Sequence, residues 1–197
     1  MLIAAIPTGT ITDNVRVLLS LVGLMWLLWV VNEVTDDSLN KSLGIRPRDN
    51  KGLRGILCAP LLHGDFSHIS GNSLVFIVLG WMTMLGDPQD FFIVTAIAWF
   101  TSGFGIWLFG GEKTNHIGAS GVVFGYFGFL LLRGYFERSA GAILLAVLVM
   151  LLYGNLIWNL LPIREKMSWE GHLFGFLGGV LVAQNLAVFR DWFETMF

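Results

Sequence analysis

Charge is scarce in this chain. Only 13% of its 197 residues are Asp, Glu, Lys or Arg, about half the share usual in soluble domains. Its single cysteine, Cys58, excludes an intramolecular disulfide and any thiolate metal cluster. A net charge of -2 leaves no basic surplus for nucleic acid, and no Lys/Arg run is dense enough to serve one. The pattern H-E-x-x-H is missing, so the four histidines lack the helical signature of a zinc protease. What is abundant is apolar: 55% hydrophobic residues and a mean hydropathy of +0.70. These values describe one polytopic membrane domain over residues 1–197, with a core at about 15–190.

Apolar runs fall at about 15–34, 68–85, 91–109, 117–132, 140–161 and 169–189. Most are long enough, or nearly so, for a helix across a hydrocarbon core of about 30 Å. The first lacks a small-residue cleavage site and reads as a retained span. The run at 117–132 is the shortest, which predicts that one of its ends stops inside the membrane. The connectors "GDPQD", "GGEKTN", "RGYFERS" and "PIREKMS" are short, so sequence neighbours run antiparallel. Asn32 to Asp65 is polar, then half apolar, and predicts a loop or short helices lying in the interface. The expected fold is all-α: a polytopic bundle of six transmembrane helices with an interfacial first loop.

Six spans impose a parity. The second, fourth and sixth enter from one face, and the polar exceptions His68, Asn72, Ser120 and His172 all lie near it. The fourth span carries Gly121, Gly125 and Gly128, and the sixth carries Gly171, Gly175 and Gly178 at the same spacing, with Gly179 beside them. Such stripes let membrane helices approach closely. If they face each other, Ser120 and His172 meet at one depth as a nucleophile and its base. Taken alone, Gly-Ala-Ser-Gly reads as helix packing, and with Val122 it is not the hydrolase elbow G-x-S-x-G. Ser120 also opens a helix, where backbone N–H groups are free to meet an oxyanion. His68 and Asn72 share a helical face and can donate toward the same point. Phe124, one turn on, can stack on the imidazole. The segments "GGEKTNHIG" and "HGDFSH" offer a polar vestibule for water. Asp65 and Glu170 are expected to cap helices rather than act as bases.

The stretches "HGDFSHISGN", "HIGASGVVFG" and "WEGHLFGFLGG" resemble the three signatures of bacterial rhomboid intramembrane serine proteases, in the same order and on the same spans. The resemblance covers about residues 15–190. It implies a serine endopeptidase that cuts transmembrane or juxtamembrane segments of other membrane proteins, with no cofactor and no metal. By it Ser120 is the nucleophile, His172 the general base, and His68, Asn72 and the Ser120 backbone the oxyanion hole. Gly118, Phe124 and His63 support the site, and Gly121, Gly125, Gly171, Gly175 and Gly179 pack the helices. Two positions depart from the family pattern. Phe124 stands where a tyrosine is common, and the Trp-Arg pair of the first loop is absent. The family's architecture also suggests Trp158 or a neighbour as a gate for substrate. Two other functions are open to the sequence: a pseudoprotease that escorts transmembrane clients, and a metal or haem protein using His63, His68, His116 and His172.

The resemblance further implies a multi-pass protein of the bacterial plasma membrane whose site opens to the extracytoplasmic side. Charge points the other way. Lys41, Arg46, Arg48, Lys51, Arg54, Lys113, Arg164 and Lys166 lie on the site's face, against Arg16, Arg133, Arg138 and Arg190 opposite. The positive-inside rule would turn the site toward the cytoplasm. The expectation adopted is the extracytoplasmic one, because five of the eight cations sit in the first loop.

Overall fold

Capping chemistry sets where most of the helices begin. The computed structural model describes residues 10–163 and 167–196, so Arg164 and Lys166 lie outside the described residues. The Thr10 side chain accepts from Asp13 N at the start of α1, Ile11–Val34. Asp65 accepts from His68 N (2.8 Å) and opens α4, Phe66–Met84. Asp87, followed by Pro88, opens α5, Pro88–Phe109, and Ser139 opens α7, Ala140–Tyr153. Two long helices begin with no side-chain cap: α6, Ser120–Glu137, and α8, Trp169–Gln184. These are the helices of Ser120 and His172. Between α1 and α4 lie α2, Ser38–Leu43, and the single turn α3, Gly55–Cys58, flanked by 3-10 turns at Asn50–Arg54 and Ala59–Leu61. The chain ends in α9, Leu186–Met196.

All six apolar runs are helical, and no strand occurs among the described residues. Three helices are long and apolar enough to cross a membrane: Ile11–Val34, Pro88–Phe109 and Ala140–Leu160. The last includes a 3-10 stretch, Gly154–Leu160, that continues α7. Helices α4 and α6 fall short because α4 carries His68 and Asn72, and α6 carries Arg133, Glu137 and its glycines. The sixth run is not one straight span to residue 189. It breaks at Asn185, and α9 leaves α8 at 87°. The connector expected at "RGYFERS" shrinks to Arg138 and Ser139, because α6 stays helical to Glu137.

Helix α6 is the centre of the bundle. Residues 121–130 are all buried, so it is apolar all round, as a core helix must be. Around it gather Phe76, Leu79, Phe91 and Val94, packed with its own Phe127 and Phe129. The fully buried Tyr126 hydroxyl is satisfied by Thr95 Oγ1 at 2.7 Å. Helix α7 lies at the edge and exposes Leu144, Leu148 and Leu151. A continuous apolar face of this kind fits contact with lipid.

The first loop folds onto α5. Two indole N–H groups of α5 hold it: Trp99 donates to Ile56 O (2.7 Å) and Trp107 to Asp49 O (3.0 Å). Ile45 and His116 exchange backbone hydrogen bonds of 2.9 Å, joining this loop to the one before α6. The loop is thus anchored without the Trp-Arg pair.

The two glycine stripes meet. A methyl at Gly175 would collide with the Gly121 carbonyl, and one at Gly179 with the Gly125 carbonyl. Gly128 lies against the Phe176 carbonyl. The match is not complete, since Gly178 faces Thr101 of α5 and the open side of Gly171 faces Ile106. We expect Gly179→Ala to destabilise the bundle by about 1–3 kcal/mol through overpacking. Gly141→Ala, with nothing within 4 Å of the new methyl, should cost nothing. Thermal unfolding in detergent, followed by helical circular dichroism, makes the comparison; equal midpoints would refute the close-contact account.

Candidate active site

Ser120 is the first residue of α6, and the bond between its hydroxyl and His172 is the centre of the site. The Ser120 hydroxyl lies 3.0 Å from His172 Nε2. On the other side of the ring, His172 Nδ1 lies 3.1 Å from the carbonyl oxygen of Asn159. A carbonyl oxygen only accepts, so Nδ1 carries the proton and Nε2 presents its lone pair to the serine. That is the tautomer a general base for Ser120 needs. The Phe124 ring stacks on the imidazole at 4.2 Å between centroids and 16° between planes. Among the described residues, the histidine is oriented by a ring and a carbonyl, and no carboxylate bonds to it.

The expected donors surround the same point. Gly118 adopts φ +115°, a conformation glycine accepts readily. A methyl there would come within 2.6 Å of His68 Nε2 and 3.4 Å of Asn72 Nδ2. His68 Nδ1 accepts from Gly64 N (3.4 Å), which leaves the proton on Nε2, aimed at this turn. Asn72 Nδ2 is buried and has no hydrogen-bond partner. With the uncapped N–H groups at the start of α6, the site presents a ring of donors without acceptors. His63 is fully buried behind His68, ring edge to ring face at 5.0 Å. Burial and the neighbouring His68 push its pKa down to about 4, so it stays neutral.

A cavity of about 780 Å³ opens over these groups. His68, Asn72, Ser120, Phe124, Asn159 and His172 line it, and Asn115 and His116 stand at its loop side. That volume suits a few residues of extended peptide. His116 supports the loop through Thr114 Oγ1 (2.6 Å). Among the described residues, no three His, Cys, Asp or Glu side chains are grouped to hold a metal ion. Trp158 is 64% exposed and does not line the cavity, whereas its neighbours Leu156 and Asn159 do. Asp65 caps α4 as expected, whereas α8 has no side-chain cap and Glu170 lies buried in its first turn without a capping bond. Sequence reasoning missed Asn159. Its contribution is a main-chain carbonyl, which leaves no trace in residue type.

Fold and site together define a helical membrane protein with a part-buried serine–histidine pair facing a cavity of mixed polar and apolar lining. The Rhomboid domain model matches residues 50–188, and the chain belongs to the rhomboid family. It is 35% identical over 178 residues to an uncharacterized protein of Mycobacterium tuberculosis, covering 86% of this chain and 74% of that one. An uncharacterized Mycobacterium leprae protein is 34% identical over 178 residues, covering 86% and 70%. The Bacillus subtilis protein YdcA, whose name provisionally calls it a rhomboid protease, is 27% identical over 125 residues, 62% of each chain.

The tautomer is directly measurable. In 15N-histidine NMR spectra at neutral pH, His172 should show a protonated Nδ1 and a bare Nε2, with the Nε2 resonance moving in Ser120→Ala. A proton on Nε2 would contradict the assignment.

Proposed function

We propose that this protein is an intramembrane serine endopeptidase that hydrolyses peptide bonds in or beside transmembrane segments of other membrane proteins. The observation that carries the reading is the 3.0 Å contact between Ser120 Oγ and His172 Nε2, with the Asn159 carbonyl on Nδ1. In the first step Ser120 Oγ attacks the scissile carbonyl carbon while His172 Nε2 takes the hydroxyl proton. The carbonyl oxygen becomes an oxyanion held by His68 Nε2–H, Asn72 Nδ2–H and the Ser120 N–H. His172 then returns the proton to the leaving amine as the C–N bond breaks, leaving an acyl-serine. Water, its proton taken by His172, attacks this ester, and the carboxylate product departs as the proton returns to Ser120. The Asn159 carbonyl and the Phe124 ring stabilise the imidazolium during both transfers. A substrate helix must unwind to lay a peptide bond in the cavity, so helix-breaking residues near the cut are expected.

In liposomes with a model transmembrane substrate, Ser120→Ala and His172→Ala should each abolish cleavage and labelling by a fluorophosphonate. Asn72→Ala should lower kcat by about a hundredfold, the cost of one oxyanion donor. Full cleavage by Ser120→Ala would sink the mechanism. Failure of the wild type to take the fluorophosphonate would favour a client-binding pseudoprotease.

The same reading has the protein in a bacterial plasma membrane with its site open to the extracytoplasmic side. The first loop's cations support this, because they belong to a folded layer on α5 rather than a free connector. Lys113→Cys in a Cys58→Ser background should react with an impermeant maleimide added to intact cells. Labelling only after lysis would reverse the orientation.

A further inference from the structure

A glycine seam brings α6 and α8 together with few side chains between them, chiefly Phe124 on His172 and Phe127 on Phe176. A slip of one turn would move His172 about 5.4 Å relative to Ser120 and end the 3.0 Å contact. A polar hold on the same register lies at the far end of the bundle. At the opposite end of the bundle, Asp90 of α5 is fully buried and accepts from two arginines. Arg190 of α9 binds it through Nε and Nη2, both at 2.8 Å. Arg133 of α6 reaches it through Nη1 at 3.1 Å. Arg133 is held in turn by Glu137 (2.5 Å) and lies over the Phe129 ring at 5.5 Å. The bare face of Gly86 leaves room for its guanidinium.

We propose that Asp90 is a positioning residue for the serine–histidine pair. It ties the far end of the Ser120 helix and the segment following the His172 helix to one carboxylate. A greasy contact in its place would tolerate sliding, whereas a two-pronged arginine–carboxylate pair has one distance and one direction. The 87° bend at Asn185 turns α9 across the end of α5, so Arg190 meets Asp90 from the side and stops axial movement of α8. Phe193 stacked on Phe92 (6.5 Å, 17°) and Gln89 near Glu194 (3.4 Å) hold α9 in that position. Arg133 lies about 20 Å along α6 from Ser120. The clamp therefore lies at the end of α6 opposite the site and just beyond the far end of α8.

The role assigned to Asp90 rests on the proteolytic reading above, and the test separates the two. The rate constant of fluorophosphonate labelling is measured, rather than its extent, in purified wild type, Arg190→Gln, Arg190→Lys and Asp90→Asn. Arg190 is partly exposed, so Arg190→Gln should fold, with Asp90 still paired to Arg133, even where Asp90→Asn does not. Arg190→Gln should slow labelling about tenfold or more, the scale of a small misplacement of reacting groups. Its labelled fraction at completion should match wild type, and Arg190→Lys should recover part of the rate. The His172 15N spectrum gives a reading independent of activity: the Nε2 shift that Ser120 causes in wild type should be lost in Arg190→Gln. A wild-type rate constant with a preserved Nε2 shift would overturn the proposal. A lower labelled fraction at an unchanged rate constant would also overturn it, since that is a folding effect alone. If wild type does not label, the protease reading fails, and the Nε2 shift still decides the role of Asp90.

Discussion

Everything in this molecule depends on how closely α6 and α8 can approach. Their seam is backbone against backbone: Gly175 on the Gly121 carbonyl and Gly179 on the Gly125 carbonyl. A bilayer offers no hydrophobic gain for pressing two helices together, so dispersion contacts over a short separation must supply the attraction. Side chains at those positions would hold the axes apart. Ser120 and His172 sit at the start of these helices, and their 3.0 Å contact is a direct consequence of that separation. The same residues that stabilise the bundle therefore determine whether the serine has a base.

The base itself is set by weaker means than a buried carboxylate. The Asn159 carbonyl fixes the Nδ1 proton, and Phe124 fixes the plane of the ring. A neutral acceptor suits this depth, because a lone ionised carboxylate in a low-dielectric site is costly. It also makes the imidazole depend on the backbone of the 3-10 stretch after α7, the least buried of the apolar spans. The bundle keeps its most deeply buried carboxylate among the described residues, Asp90, with two arginine partners at the far end, where the charges offset one another. Glu170, also buried, lies in the first turn of α8 and makes no hydrogen bond to the imidazole among the described residues.

Much of this was legible in the sequence, for a physical reason. Helix periodicity is regular enough that glycines spaced like Gly121 and Gly125 must share a face, as must His68 and Asn72. Parity of the spans then brought the polar exceptions together. The features that escaped are main-chain or long-range. The Asn159 carbonyl has no side-chain signal. The break at Asn185 lies within an apolar run that hydropathy reads as continuous. Gly178 turned out to serve α5 rather than α6, since the repeat gives a face but not the neighbour that fills it. Asp90 carried no signal of its own in the sequence, because only tertiary structure brings it to Arg133 and Arg190.

The unsatisfied groups follow a pattern that stability alone does not explain. Buried polar atoms without a partner are rare in folded proteins, and each carries a cost of about 1–3 kcal/mol. Among the described residues, Asn72 Nδ2, both nitrogens of His63 and Ser168 Oγ lie around the cavity or just behind it, while Trp29 Nε1 and Asn40 Oδ1 lie outside its lining. The two long helices without side-chain caps, α6 and α8, also open into it. A fold selected only for stability would have capped these ends and paired these donors, as it did at Asp65, Asp87 and Ser139. Donors kept free and aimed at one point are what a developing negative charge requires, since they need not reorganise when it appears. The contacts that hold the helices together, the glycine seam and Asp90 with its arginines, leave these donors free.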